Sequence, residues 1–317
     1  MKLKKLRAFF VILLVVCLAL TSLAGVVYKQ WPDDNLHIVV CDVGQGDAIL
    51  LLQRFDQVLV DAGPKDEKIL QCLREQMPFW DRQIEWIIPT HLDSDHIGGF
   101  AAVLDRFTVK NLLAPKDTKQ SADFERFEQA VLREQQSGMR VLTPEIGMKL
   151  NPFAAGSLRV LYAPIGQIGT VSAQKVRQTE TQLWDAHTGF EINPVDSNNR
   201  STVLSLQFGL VSLLLAGDLE APVEQALIQQ GMVTDHTILK VGHHGSKSSS
   251  SASFLQVVRP ELALISVGKN NRYGHPATST LERLVTAGVK RTLRTDQLGT
   301  IVIETDGRSL WLPPPKR

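Results

Sequence analysis

An α/β fold, a four-layer αββα sandwich, is predicted by three features of the 317-residue sequence. Apolar strand-like runs alternate with helix-like segments along the chain, the succession falls into two halves of similar form, and apolar runs in both halves end in acidic residues or histidines. Interleaved strands and helices imply sheets covered by helices. Two such units stacked sheet to sheet would hold a site between them.

In chain order, Lys2, Lys4, Lys5 and Arg7 come first, followed by an uncharged apolar run from Ala8 to Tyr28. The run has the roughly 20-residue length that crosses a bilayer, and the basic flank stays on the cytoplasmic side. Ser22-Leu23-Ala24 also offers a small-x-small cleavage signal. Residues 1–30 are therefore read as a single transmembrane anchor or a signal peptide, and residues 31–317 as one domain outside the cytoplasm. That domain is held at the cell membrane, or secreted if the chain is cut after Ala24.

After a linker around Pro32-Asp33-Asp34, apolar runs at Leu36–Cys41, Ala48–Gln53 and Gln57–Val60 read as an antiparallel sheet. Helix is expected around Glu67–Gln76, strand at Ile84–Ile88, helix from Phe100 to Phe107 and strand at Asn111–Ala114. Ser121 is placed to cap a charged helix to Gln136 with Phe124, Phe127 and Val131 on one face. Strands follow at Arg140–Thr143 and Leu158–Tyr162. The polar stretch from Gly166 to Asn198 reads as a surface excursion, with Trp184 and His187 as candidate substrate contacts. A hairpin of Ser201–Phe208 and Val211–Ala216 turns at Gly209. Then come helix Ala221–Gln230, strand Thr237–Val241, helix Ser251–Val257, strand Leu262–Val267, helix Thr278–Ala287 and strands Gly299–Glu304 and Ser309–Leu312.

A hydrophobic fraction of 44% suffices for a core, and a formal net charge of +1 excludes a global field that would concentrate nucleic acid, so phosphate recognition has to be local. Cys17 lies in the apolar run. Cys41 and Cys72 do not read as a disulfide framework and are expected to pack as small apolar side chains. No protein partner can be inferred.

The chemistry starts at Thr90-His91-Leu92-Asp93-Ser94-Asp95-His96-Ile97-Gly98-Gly99, which packs two imidazoles and two carboxylates into six positions after an apolar strand. Side chains two apart on an extended segment share a side, so His91 and Asp93 can share one ion and leave Asp95 and His96 to a second. Leu213-Leu214-Leu215-Ala216-Gly217-Asp218 brings another carboxylate to the same sheet edge, able to bridge two cations. Lys240-Val241-Gly242-His243-His244-Gly245-Ser246 adds imidazole. The favoured ligand there is His243, with His244 in a supporting or substrate role, a choice the sequence leaves open. Asp61, after Val58-Leu59-Val60, is expected to orient a ligand imidazole or the loop.

With Cys41-Asp42-Val43-Gly44-Gln45-Gly46-Asp47-Ala48, His243-His244-Gly245-Ser246-Lys247, Asn271-Arg272-Tyr273-Gly274-His275-Pro276 and Arg294-Thr295-Asp296, the chain resembles the metallo-β-lactamase fold, and within it the hydrolase domain of the ComEC competence family, from about Leu36 to Leu312. The resemblance implies a two-metal hydrolase. Asp93 stands where many members of the wider superfamily have a second histidine, and Ser197-Asn198-Asn199-Arg200-Ser201 offers none where another ligand would come. The first ion is left with His91, Asp93 and Asp218, an oxygen-rich set that shifts preference from zinc toward manganese or magnesium. ComEC proteins carry this domain on a large transmembrane channel, whereas one apolar segment is seen here, so hydrolysis is expected and DNA import by this chain alone is not.

The function expected is phosphodiester hydrolysis of nucleic acid or nucleotides, with Asp95 orienting the attacking water and His275, near Tyr273, protonating the leaving oxygen. Asp47, Asp61, His244, Ser246, Lys247 and Tyr273 are candidates for support or substrate contact. Lys269, Arg272, Arg294 and Ser248–Ser250 could grip phosphate. Hydrolysis of a non-phosphate ester, thioester or lactam is the alternative. A surface-anchored binding module with a structural metal fits less well, because structural sites are closed sets of Cys and His.

Overall fold

The computed structural model describes residues 2–163, 183–184, 191–192 and 198–313. The excursion from Gly166 to Asn198, with the side chains of Trp184 and His187, lies outside these residues apart from Asn198 and a short strand pair. The chain opens with α1 (Lys2–Lys29) and continues with β1 (Leu36–Val40), β2 (Ile49–Gln53), β3 (Asp56–Val60), α2 (Lys68–Gln76), β4 (Gln83–Ile88), α3 (Ser94–Ile97), α4 (Phe100–Leu104), β5 (Thr108–Leu113), α5 (Ala122–Gln136) and β6 (Arg140–Leu142). The second half holds β7 (Lys149–Leu150), β8 (Gly156–Tyr162), the short pair β9 (Leu183–Trp184) and β10 (Glu191–Ile192), β11 (Val203–Phe208), β12 (Val211–Leu215), α6 (Ala221–Gln229), β13 (Ile238–Lys240), α7 (Ala252–Val258), β14 (Leu262–Ile265), α8 (Thr278–Thr286) and β15 (Arg291–Arg294). A final segment, α9 (Thr295–Leu298), β16 (Ile301–Thr305) and β17 (Leu310–Trp311), returns to the first sheet, where β16 pairs with β1.

The two main sheets are mixed, with orders β17-β16-β1-β2-β3-β4-β5-β6 and β15-β14-β13-β12-β11-β8-β7. In the first, β1, β2 and β3 are antiparallel and β3 to β6 are parallel. The second repeats the pattern, with β8, β11 and β12 antiparallel and β12 to β15 parallel. Period-two alternation assigns each strand's faces. Ile38 and Val40 join Leu204, Leu206, Leu213 and Leu215 in a core between the sheets. Val39 and Leu50 face the other way, onto Ile69, Leu73, Phe100 and Phe127 of α2, α4 and α5. Leu214, Leu239 and Ile265 face Val223, Phe254 and Leu284 of α6, α7 and α8. These three apolar layers make the αββα sandwich expected.

The expected cap forms on α5, where Ser121 Oγ accepts from the Phe124 N–H at 3.1 Å. One expectation is corrected: Cys41 and Cys72 form a disulfide, with Cα atoms 5.9 Å apart. They are 31 residues apart, and only the fold-back of α2 onto the end of β1 brings them together. Closing a loop of that length stabilises a fold by about 3–4 kcal/mol on the chain-entropy estimate. Functionally, the architecture matters because β3, β4, β12, β13 and β14 all deliver their C-terminal ends to one edge of the sandwich, the edge at which open α/β sheets bind ligands.

Candidate metal centre

The first half supplies an oriented imidazole. Asp61, directly after β3, is buried and holds a left-handed backbone with φ 57°. Its Oδ1 accepts from the Thr90 N–H at 2.7 Å, and its Oδ2 lies 2.8 Å from both Thr90 Oγ1 and His96 Nδ1. This grip turns His96 Nε2 toward Asp218, with Oδ2 at 3.3 Å. His91 follows β4 through Pro89 and Thr90, and its Nδ1 sits 3.2 Å from Thr90 Oγ1 and 3.3 Å from Ser201 Oγ. The rings of His91 and His96 stand 4.1 Å apart. Gly99 is required behind them, because a Cβ there would come within 2.2 Å of the Ala62 carbonyl oxygen.

The second half supplies Asp218 and His244. Asp218, past the end of β12, is held by its own N–H donating to Ser201 Oγ at 3.0 Å. His244 Nδ1 faces the Ser266 carbonyl oxygen at 3.0 Å and Asp47 Oδ1 at 3.2 Å, while Nε2 lies 3.3 Å from Asp95 Oδ2 and 3.6 Å from Asp218 Oδ2. Asp95, His96, Asp218 and His244 thus bring four ligand atoms within 4.8 Å of one another. The sequence favoured His243 in this position. The structure instead places His243 on the rim, with Nε2 3.8 Å from Asp218 Oδ2 and Nδ1 3.2 Å from Glu220 Oε1. Both residues have positive φ, 46° for His243 and 53° for His244, and this bend is what aims the second ring inward.

The donor set fits divalent cations. His91 Nε2 and Asp218 Oδ1 are buried with no hydrogen-bond partner among the described residues, an arrangement that costs free energy unless a cation takes up their lone pairs. Burial pushes the Asp218 carboxyl up, but the positive charges of His244 and His96 hold it well below its usual value. Asp95 is likewise lowered against its burial, by the hydrogen bond from His244 and the charge of His96. Burial would lower His96, yet Asp218 and Asp61 raise it well above 6.5. His244 is raised against its burial to about 10 by Asp218 and Asp47. His91, by contrast, is lowered by burial and by the neighbouring charge of His96, which favours its neutral ring. Protons on His96 and His244 stand where cations would bind.

The other candidates are more exposed. Asp93 lies 3.9 Å from His91 Nε2 and contacts the Lys119 ammonium. His275 is half-buried, stacked on Tyr273 at 5.9 Å and 5.5 Å from the His243 ring, and its Nδ1 has no hydrogen-bond partner among the described residues. Burial and the charges of His243 and His244 lower its pKa. Ser246 is buried, with Oγ 2.9 Å from Ser248 Oγ, whereas Lys247 is exposed.

Two expected phosphate grips are engaged elsewhere. Arg294 pairs with Asp296 through two contacts of 3.0 and 2.6 Å, and the N–H groups of Ser250 and Ser251 donate to Glu224.

Several residues of the site carry no signal in the sequence. Lys240 reads as a strand residue but is buried, with Nζ 2.5 Å from Asp47 Oδ2. The pair places Asp47 behind His244 and keeps its carboxyl lowered against its burial. Glu220 accepts from Ser248 Oγ at 2.6 Å as well as facing His243. The Ser266 hydroxyl donates to the Gly46 carbonyl at 2.7 Å, fastening the Asp42–Asp47 loop of one half to the other.

A family model described as the metallo-beta-lactamase superfamily matches residues 41–269. ComE operon protein 3 of Bacillus subtilis (strain 168) is 32% identical over 282 residues, covering 84% of this chain and 32% of that protein. Competence protein ComA of Neisseria gonorrhoeae is 28% identical over 271 residues, covering 85% and 32% respectively. The chain spans about a third of the length of these curated relatives. Among solved structures, the metallo-beta-lactamase fold protein YhfI from Bacillus subtilis has a TM-score of 0.51 at 11% identity, covering 85% of this chain and 100% of that one, a likeness of fold alone.

Proposed function

The chain belongs to the metallo-beta-lactamase superfamily, and we propose that it is an extracytoplasmic metal-dependent phosphodiesterase or nuclease acting on DNA or nucleotides. The observation that carries this reading is the convergence of Asp95, His96, Asp218 and His244 within 4.8 Å, beside His91, whose Nε2 is buried with no hydrogen-bond partner among the described residues. The name of one relative, competence protein ComA, supports nucleic acid as the substrate class. The apolar α1 and the Cys41–Cys72 disulfide support a site outside the reducing cytoplasm.

In this reading Asp95, His96, Asp218 and His244 would hold one cation, and His91 and Asp93, sharing Asp218, would hold the other. When bound, two such ions polarise the phosphoryl oxygens and stabilise the charge that builds on them during hydrolysis. Asp61 and the Ser266 carbonyl oxygen fix the two imidazoles by their Nδ1 atoms and leave each Nε2 as the ligand. Three carboxylates with three histidines, one carboxylate being shared, favour manganese, with magnesium or zinc as competitors. Asp95, 37% exposed, orients the attacking water.

His243, held by Glu220 at Nδ1, presents Nε2 at the rim and protonates the leaving oxygen. His275, given that role by the sequence, is half-buried and stacked on Tyr273, and in this reading it positions substrate together with Tyr273.

The full-length chain in detergent should cleave single- or double-stranded DNA or a dinucleotide ester when loaded with manganese, and should lose that activity to chelator. Cleavage of a lactam with no turnover of any phosphodiester would overturn the substrate class.

A further inference from the structure

A cluster of aromatic side chains lies outside all three cores, directly beyond the end of α1. Trp31 packs edge-on against Phe55 at 5.6 Å and lies 6.5 Å from Trp80, which in turn meets Phe79 at 4.9 Å. They come from three separate segments: the linker after α1, the turn between β2 and β3, and the loop before β4. Trp31, Phe55 and Phe79 are 61%, 41% and 49% exposed, and none of the four belongs to an apolar core. Apolar side chains gathered on one corner, with their faces in water, mark a surface meant for a nonaqueous partner.

That corner is tied to α1. Gln30 Oε1 accepts from the Phe79 N–H at 3.2 Å, the Asp33 carbonyl from the Arg54 N–H at 3.1 Å, and the Asp34 carbonyl from Gln53 Nε2 at 2.9 Å. The helix itself contains a 21-residue apolar span, Phe9–Lys29, with none of it buried. Wherever α1 leaves a bilayer, the aromatic corner is at the exit, the depth at which Trp and other ring side chains are most favourable because one face is apolar and the indole N–H stays hydrated.

We propose that Trp31, Phe55, Phe79 and Trp80 form a collar that sits in the headgroup region of the membrane and holds the domain in one orientation, with the metal centre facing away from the lipid. The inference rests on the proposed membrane anchor. The orientation follows from topology. Phe55 precedes β3 and the Phe79-Trp80 loop precedes β4, and these strands are parallel. Their far ends deliver Asp61 and His91. Strands of five and six residues separate the collar from the site by about 17–20 Å at 3.3 Å per residue. Substrate therefore approaches from the aqueous side, which suits a soluble polyanion and not a lipid ester.

The test uses the full-length chain in phosphatidylcholine vesicles carrying lipid brominated near the acyl carbonyl. The unmodified protein should float with the vesicles and show quenched tryptophan emission, and the combined surface substitutions Trp31→Phe and Trp80→Phe should remove the quenching while flotation persists. Adding Tyr273→Trp to that pair places a reporter beside the metal centre, and its emission should be unquenched. Flotation with equal quenching in the parent and the Trp31→Phe/Trp80→Phe protein would overturn the collar and leave the anchor standing. Quenching of the Tyr273→Trp reporter would overturn the orientation. A chain that fails to float would remove both anchor and collar.

Discussion

The inner cluster of His96, His244 and Asp218 is sealed, with side chains 0%, 1% and 3% exposed, while the rim of Asp93, Asp95 and His243 is 24%, 37% and 23% exposed. Both regions are built from the same two residue types, and adjacent positions in the chain fall on opposite sides of the boundary. Burial strips water from the inner groups, so that their lone pairs must be met by a proton or a cation. The rim groups keep water. The comparison teaches that depth below the surface, more than residue identity, separates His96 and His244, whose ring nitrogens need a proton or a cation, from His243, whose ring reaches solvent.

The largest effect that could break this division is at the centre. Asp218→Ala should reduce turnover to background and lower metal content at both sites, because its carboxylate is shared in the proposed arrangement. Elemental analysis after manganese loading checks it. Loss of one ion with the other fully retained would show that Asp218 does not bridge.

The rim should behave differently. His243→Ala should slow cleavage of a natural phosphodiester by roughly 10²–10⁴-fold, the range of general acid catalysis, and the loss should shrink on a nitrophenyl phosphodiester whose leaving group needs no proton. His275→Ala should slow both substrates alike. A substrate-dependent loss confined to His275→Ala would return the proton donor to the residue expected from sequence.

A smaller effect distinguishes the two regions through pH. His244 is raised in the folded, metal-free protein from 6.5 to about 10, so its contribution to stability is complete below pH 6.5 and is lost as pH rises through about 10. Thermal unfolding of metal-free protein should shift to lower temperature across that window. With manganese bound the imidazole has already given up its proton, and the shift should disappear. A metal-free protein whose midpoint rises over the same range would contradict the carboxylate environment assigned to His244.

Much of the fold was legible because alternation of apolar residues is a local signal: Ile38, Val39 and Val40 declare two buried faces without any knowledge of the partner layers. The His91–His96 stretch was legible for the same reason, since the candidate ligands sit close together on one loop. What depended on distant parts of the chain was not legible. His243 and His244 share a left-handed bend, and which ring turns inward is set by Ser266 and Asp47 on other segments. The disulfide needed α2 to return over β1. Lys240 looked like an ordinary strand residue until Asp47, nearly two hundred positions earlier, was brought against its ammonium. Glu220, which faces His243, gave no warning because a lone glutamate before a helix is common.

The central claim is that His244 holds a cation and His243 does not, and metal analysis of two single variants tests it most directly. After manganese loading, His243→Ala should retain as much metal per chain as the parent, and His244→Ala should lose the ion held with Asp95, His96 and Asp218. The reverse pattern, with metal lost from His243→Ala and kept by His244→Ala, would contradict the account.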